Sequence, residues 1–366
     1  IDIGKTNAKL ALVDMTNLSE IAVRTRPNTV RPGPPWPHFD LDGHWDFLLG
    51  GLRDLHRAHG IDAISVTTHG ASGVLLDARG ALAAPMLDYE HDGPDRVAAA
   101  YDAIRPGFAE TGSPRLPGGQ NLGAQLHWLF ATDPDLRART AHILTYPQYW
   151  GHRLTGEIAC DVSSLGAHTD LWDPHHGRLS SLGDTLGITG LIAPTRRPDS
   201  VLGQITPTVA AQTGLPIRTP VMAGIHDSNA SLLPHLARET GAFSVVSTGT
   251  WVVVMSIGGE PVALDPTRDT LINVNAFGAP VPSARFMGGR EYDSLRSAEA
   301  PTGQDQEGAL RTGTMLLPSV IAGSGPFPDR AHRWTGTEPQ GALRNAVLDF
   351  YLALMTATCL SLSGHR

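Results

Sequence analysis

The chain has 366 residues, 41% hydrophobic and 17% charged, which is enough apolar material for folded cores and too little charge for a disordered polymer. Its 28 basic and 36 acidic residues give a formal net charge of −8, and no Lys or Arg run stands out, which argues against a nucleic-acid or anionic-membrane surface. At about 100–200 residues per domain the length calls for two or three domains; the two cysteines, Cys160 and Cys359, form no CxxC, which argues against a disulfide scaffold and fits a reducing cytoplasm.

No signal peptide is seen, and no unbroken apolar run reaches the ~18 residues of a membrane span. The chain begins at Ile1 without an initiator Met, so a short N-terminal piece is expected ahead of it. Ile1 to Ile3 is short and apolar, Gly4-Lys5-Thr6-Asn7 is turn chemistry, and Ala8 to Val13 is apolar again; the three read as strand, turn, strand. Pro27 to Pro37 is Pro-rich and predicts a loop. Asp46 to His59 spaces Phe47, Leu48, Leu52 and Leu55 as a helix does, with Gly60 at its C-cap. Ile61 to Val66 predicts a buried strand that delivers Thr67-Thr68-His69-Gly70 at its end, and helix followed by strand is an α/β signal.

Asn121–Thr132 and Gln148–Leu154 predict helical pieces, whereas 193–220 is rich in Pro, Gly and Thr and predicts mostly loop. Val221–Ile225 predicts a strand running into His226-Asp227-Ser228-Asn229, with a helix over Ser228–Leu236. Phe243–Val246 and Trp251–Met255 predict strands around the turn Ser247-Thr248-Gly249-Thr250. This repeats the plan of Ile1–Val13, and two such hairpins suggest two domains of similar architecture with a boundary near Pro234–Gly241. Arg296 to Gly308 shows no clean period and could hide a join between segments. Leu343 to Leu360 has helical spacing and runs straight to the end of the chain.

Several of these segments could carry chemistry, each against a plainer reading. In Asp2-Ile3-Gly4-Lys5-Thr6-Asn7-Ala8-Lys9 a Gly turn offers backbone N–H groups, Thr6 a hydroxyl and Lys9 a charge, the ingredients of phosphate binding. Asp2 could hold Mg²⁺ through water; the plainer reading is an ordinary hairpin. A P-loop is disfavoured, because Ile1-Asp2-Ile3 is not loop-like and Lys9 to Val13 is not helical. Asp227, in a loop after a strand, could accept a hydroxyl proton in phosphoryl transfer, or simply cap the helix that follows. His69 with Thr67, Thr68 and Gly70 forms a polar cluster at another strand end, where ligands of open α/β sheets collect. Asp88-Tyr89-Glu90-His91-Asp92 could bond sugar hydroxyls or be a charged surface loop. Gly70-Ala71-Ser72-Gly73 misplaces the second glycine of a serine-hydrolase elbow, and neither His175-His176 nor the other histidines make a zinc site.

Taken in order, these blocks resemble the FGGY carbohydrate kinases, a branch of the actin-like and hexokinase-like ATPases. Asp2–Lys9 is similar to the family's first phosphate motif, Gly224–Asn229 to the segment with the catalytic Asp, and Phe243–Trp251 to the second phosphate motif. Leu154–Glu157, Asp161–Ser164, Leu317-Pro318 and 323–327 are weaker matches between and after them. The resemblance implies an α/β fold of two ribonuclease H-like domains, 1–236 on the sugar side and 237–366 on the ATP side, with an interdomain active-site cleft. It implies ATP-dependent phosphorylation of a ketose such as L-fuculose, L-rhamnulose or a ketopentose, with ATP and Mg²⁺ as cofactors. Asp227 would be the general base. Gly4, Thr6, Asn7 and Lys9, with Ser247, Thr248, Gly249 and Thr250, would surround the phosphates, and Asp2 and Asp227 would place the metal. His69, Gly70, Tyr89, Glu90, Gln148, His226 and Asp227 would contact the sugar.

No nucleic-acid or membrane partner is expected, and a homodimer is compatible with the resemblance. The sequence departs from the family pattern in two places: Gln125 stands where many relatives carry Lys, and the Gly-Gly adenosine motif expected after the last long helix is not reached before Arg366. Two rival readings remain, a non-catalytic sugar or nucleotide sensor and a phosphatase on the same scaffold. Retention of Thr6, Lys9 and Asp227 together speaks against the sensor.

Overall fold

The computed structural model describes residues 1–365. The chain forms two compact units, Ile1–Pro234 with Val274–Pro280, and His235–Asn273 with Val281–Arg366.

The first unit is built on a five-stranded sheet in the order Ile225–His226, Thr67–Thr68, Asp2–Ile3, Asn7–Asp14, Ser19–Pro27. The first three strands are parallel, and the last three form an antiparallel meander. This mixed arrangement is the one expected of a ribonuclease H-like sheet. In register, Ile3 and His226 both pair with Thr68, so Gly4, His69 and Asp227 leave the sheet at the same ends of three parallel strands. Backbone groups there are no longer tied into the ladder, which is why ligands collect at such ends.

The helix Leu41–His59 covers this sheet. Asp40 caps it by accepting the Gly43 N–H at 3.1 Å, so it starts five residues before its apolar period becomes visible in the sequence. Its buried face of Leu41, His44, Leu48, Leu52 and Leu55 follows the 3.6-residue repeat, and Gly60 closes it at φ 82°. Leu48, Leu52 and Leu55 share one core with Ile3, Leu10, Val66 and Val221. Each such leucine contributes roughly 2 kcal/mol by leaving water.

One expectation fails here. Over Ile61–Val66 only Ile64 pairs, by a single bridge to Val221; the strand proper is Thr67–Thr68. The apolar residues Ile61, Ile64 and Val66 of that stretch are buried in the core. The stretch 193–220 is mostly loop, as its composition predicts, with two short elements inside it. It contains the strand Val201–Gln204, paired with Pro220–Met222, and the helix Pro207–Thr213, which Thr206 caps at the Val209 N–H. Proline at the first helical turn costs nothing there, so Pro207 marks a start rather than a break.

In the second unit the strands run Phe243–Thr248, Val252–Ile257, Pro280–Phe286, Thr270–Val274. Ser247 and Thr248 belong to the first strand, and the turn is Gly249–Trp251. Gly303–Thr312 is a helix with a reciprocal cap between Thr302 and Asp305, so the end of the segment that shows no period in the sequence is helical. The helix Gly341–Leu362 is long and apolar enough to cross a bilayer by composition. Its buried face of Ala346, Val347, Tyr351, Met355 and Cys359 packs into one core with Val254, Ala284 and Phe286.

Candidate active site

The site in the first unit begins with backbone geometry. Gly4 N–H donates to Asn7 O at 2.9 Å and closes the turn, leaving Thr6 and Asn7 exposed. A buried chain of side chains pins that turn from behind. Asn28 Nδ2 donates to Gly4 O at 2.8 Å, His44 Nε2 donates to Asn28 Oδ1 at 2.8 Å, and Arg26 donates to His44 Nδ1 at 2.9 Å. Arg26 is in turn held by Asp40 at 2.5 Å. These roles require neutral His44, and burial followed by the Arg26 charge lowers its pKa to about 4.

Asp227 opens the helix Asp227–Arg238, and its carboxylate is partly exposed. Its Oδ1 accepts the adjacent Ser228 N–H at 2.6 Å, not the N–H two or three residues on that a cap would take. His226 Nε2 is 3.3 Å from the same oxygen. Asn229 Nδ2 donates to His226 Nδ1 at 3.3 Å, which leaves the ring proton on Nε2, facing Asp227. A β-carbon at Gly70 would stand 2.6 Å from His226 Nε2, so only glycine leaves that ring its place.

Asp2 senses Asp227. Burial first, and the Asp227 charge second, raise the Asp2 pKa, with Lys9 opposing them. A carboxylate that feels the charge of a second one in this way suits a divalent cation. Among the described residues no group of three or more His, Cys, Asp or Glu could hold a metal. Two carboxylates still fit Mg²⁺, which keeps several waters and takes its remaining oxygens from substrate phosphates.

His69 is 6% exposed and lies among the rings of Tyr146, Phe39 and Tyr89 at 5.0, 5.1 and 5.2 Å. Burial lowers its pKa to about 4, despite the opposing bond to Gly70 and the Asp227 charge. Lys5 stands beside this cage, 5.0 Å over Phe39 and 4.7 Å over Tyr89, paired with Asp88 and 3.2 Å from Glu90. Asp2, His69, Tyr89, Glu90, His226 and Asp227 therefore gather at one end of the sheet, together with Gly4 and Gly70. In the second unit, Ser247, Thr248, Gly249 and Thr250 are exposed at their hairpin.

Gln148, expected at the sugar, is held by bonds inside the protein. It is fully buried, donates to Ala223 O at 2.8 Å and accepts from the Thr145 hydroxyl, so both ends of its amide are engaged inside the protein. These bonds brace the strand that leads to Asp227 and use one of the two amide N–H groups and one of the two carbonyl lone pairs. Gln125 is likewise buried and donates to Ala71 O at 2.6 Å.

Two family models match the chain end to end. The FGGY N-terminal domain of carbohydrate kinases covers residues 1–234, and the carbohydrate kinase FGGY C-terminal domain covers residues 240–366. The chain belongs to the FGGY family of carbohydrate kinases. It is 27% identical over 275 residues to a probable L-xylulose kinase of Pasteurella multocida, a match covering 70% of this chain and 55% of that one. It is 27% identical over 277 residues to the L-fuculokinase of Escherichia coli, again covering 70% and 55%. The match thus spans about half the length of these curated relatives.

The crystal structure of a carbohydrate kinase from Novosphingobium aromaticivorans superposes with a TM-score of 0.92 and 37% identity, covering 99% of this chain and 82% of that one. A xylulose kinase from Rhodospirillum rubrum superposes at 0.76 with 24% identity, covering 100% and 79%; at that identity the likeness is one of fold. The fold is that of the actin-like and hexokinase-like ATPases, mixed α/β in two domains.

Within this FGGY chain some residues of the site escaped sequence reasoning. Phe39, Asn28 and His44 lie outside any strand-end pattern, and Lys5, though in the first turn, reads there as a phosphate residue. Ser163 is a further case: its Oγ accepts the His226 N–H at 3.2 Å and donates to Asp161, which is fully buried. Asp161 also accepts the Ser164 N–H at 3.1 Å, and its pKa is raised by burial. An Asp followed two residues later by Ser is a helix-cap signal, and here the cap doubles as a brace for the strand before Asp227.

Proposed function

We propose that the protein transfers the terminal phosphoryl group of Mg-ATP to a hydroxyl of a ketose, in the class of L-fuculose, L-rhamnulose or a ketopentose. The observation that carries this reading is Asp227. It is a partly exposed carboxylate at a strand end, beside a second carboxylate and adjoining a cage of aromatic and polar side chains. Phosphoryl transfer needs little covalent help from a protein, mainly positioning, charge stabilisation and a group to take the hydroxyl proton. Asp227 takes that proton, and His226, donating through Nε2, orients its carboxylate.

Gly4, Thr6, Asn7 and Lys9 of the first unit and Ser247, Thr248, Gly249 and Thr250 of the second are assigned to the phosphates of ATP. Asp2 and Asp227 are assigned to Mg²⁺, which when bound neutralises phosphate charge. His69, Tyr89, Glu90 and His226 are assigned to the sugar, which makes 1–236 the sugar-side domain and 237–366 the ATP-side domain. The relatives named L-xylulose kinase and L-fuculokinase support the ketose class.

The test is ADP release from full-length protein with Mg-ATP across ketoses, polyols and aldoses. Stimulation by one ketose is the expected result. Phosphate release without any sugar would replace the kinase by a phosphatase, and sugar binding without turnover would replace it by a sensor.

A further inference from the structure

We infer that Lys5 is a substrate-binding residue on the sugar side of the site, donating to hydroxyls of a neutral polyhydroxy substrate, and not a contact of the transferred phosphate. The inference rests on the kinase reading above and deepens it. A lysine on the glycine turn of a phosphate motif would ordinarily be read as a phosphate cation. Its geometry points elsewhere. The Lys5 ammonium is drawn onto the segment Asp88-Tyr89-Glu90, paired with Asp88, 3.2 Å from Glu90 and over the Phe39 and Tyr89 rings. Lys9 remains on the strand, opposite Asp2 in register, as the cation of the phosphate motif.

An ammonium has three N–H donors, and two are committed to Asp88 and Glu90. The third donor and the remaining carboxylate oxygens make a donor–acceptor set suited to hydroxyl groups. An independent observation lies next to it. His69 shares Phe39 and Tyr89 as neighbours with Lys5, and its Nε2 is buried without a partner. Its Nδ1–H donates to Gly70 O at 2.9 Å, so Nε2 of the neutral ring is a bare acceptor. Leaving such a buried group unpaired is unfavourable, and a ligand that donates a hydrogen bond to it removes that cost. A hydroxyl can donate to His69 and accept from Lys5; a carboxylate or phosphate can only accept.

Charge leads to the same substrate class. Around Lys5 and Lys9 stand the carboxylates of Asp2, Asp88, Glu90 and Asp227, so acids outnumber bases on this side of the site. A sugar acid entering there would meet like charge, and a neutral ketose would not.

The experiment compares wild type with Lys5→Met, which keeps the length and loses the charge. KM is measured separately for sugar and for ATP, and sugar binding is measured by calorimetry without ATP. A charged hydrogen bond lost at the sugar predicts a rise of roughly tenfold or more in sugar KM and Kd, with KM for ATP unchanged. Glu90→Gln, at an exposed position that does not threaten folding, should weaken sugar binding a fewfold and narrow the preference for a ketose over the matching aldonate. A rise in KM for ATP with sugar binding intact would overturn the inference, as would unaltered binding of both. Absence of sugar-stimulated ADP release in wild type would sink the kinase reading instead, and calorimetry would still decide Lys5.

Discussion

His226 Nε2 stands 3.3 Å from Oδ1 of Asp227, and Asn229 holds the other ring nitrogen. The ring is therefore set to donate to the carboxylate. In the proposed mechanism it aims the base. His226→Ala should lower kcat by about ten- to a hundredfold, and His226→Gln, which keeps a donor, should recover part of it. If His226 instead only touches the sugar, sugar KM will rise while kcat holds.

Asp227→Asn removes the proton acceptor but keeps the shape. General-base catalysis contributes about 10²- to 10⁴-fold. Sugar-dependent ADP release should fall within that range, while calorimetric binding of the sugar remains. Turnover at the wild-type rate would remove Asp227 as the base.

His44 and His69 predict acid sensitivity. Both are neutral in the fold, with pKa values lowered from 6.5 to about 4, chiefly by burial. Arg26 and His69 reinforce the shift at His44 and Asp40 opposes it, while at His69 Gly70 and Asp227 oppose. A depressed folded pKa means that the unfolded chain binds the proton first. Their stabilisation is full above pH 6.5 and drains away as pH falls towards 4, by roughly 3 kcal/mol for each histidine. Denaturant midpoints measured from pH 7 to pH 4 should fall over that window. His44→Gln should flatten part of the slope.

Gly224 has φ +90°, and a β-carbon there would stand 2.9 Å from Val66 O. Gly224→Ala should destabilise the fold by about 2 kcal/mol. It should also lower kcat, because the same backbone carries His226 and Asp227. A thermal melt unchanged from wild type would show that the strain is absorbed elsewhere.

Thr248 is exposed on its strand. Thr248→Val keeps the β-branched shape and removes the hydroxyl. KM for ATP should rise a fewfold, with sugar binding and melting temperature unchanged. A change in sugar KM alone would move Thr248 off the phosphates.

Much of the site was legible in the chain. Asp2, Gly4, His69 and Asp227 follow short apolar runs that end in small or polar residues, and strand ends are where such residues meet ligands. What stayed hidden was long-range. Nothing in the period of Leu41–His59 separates His44 from a surface histidine, and its role comes from Asn28 and Arg26 on other segments. Gln148 reads as a sugar ligand by its position in the family pattern; only the fold shows its amide tied to Ala223 and Thr145.

By itself the amino-acid sequence determined the two hairpins, the strand ends that carry Asp2, His69 and Asp227, and the order of motifs that marks the family. Those are local matters, set by apolar runs, glycine turns and caps a few residues long. Tertiary structure decided which side chains are free to act. The pairing of Ile3 and His226 with one residue, Thr68, brings the three strand ends together, and the reach of Lys5 to Asp88 and Glu90 carries a turn lysine onto the Asp88–Glu90 segment. Such choices depend on burial and on partners tens of residues away, which no local pattern encodes.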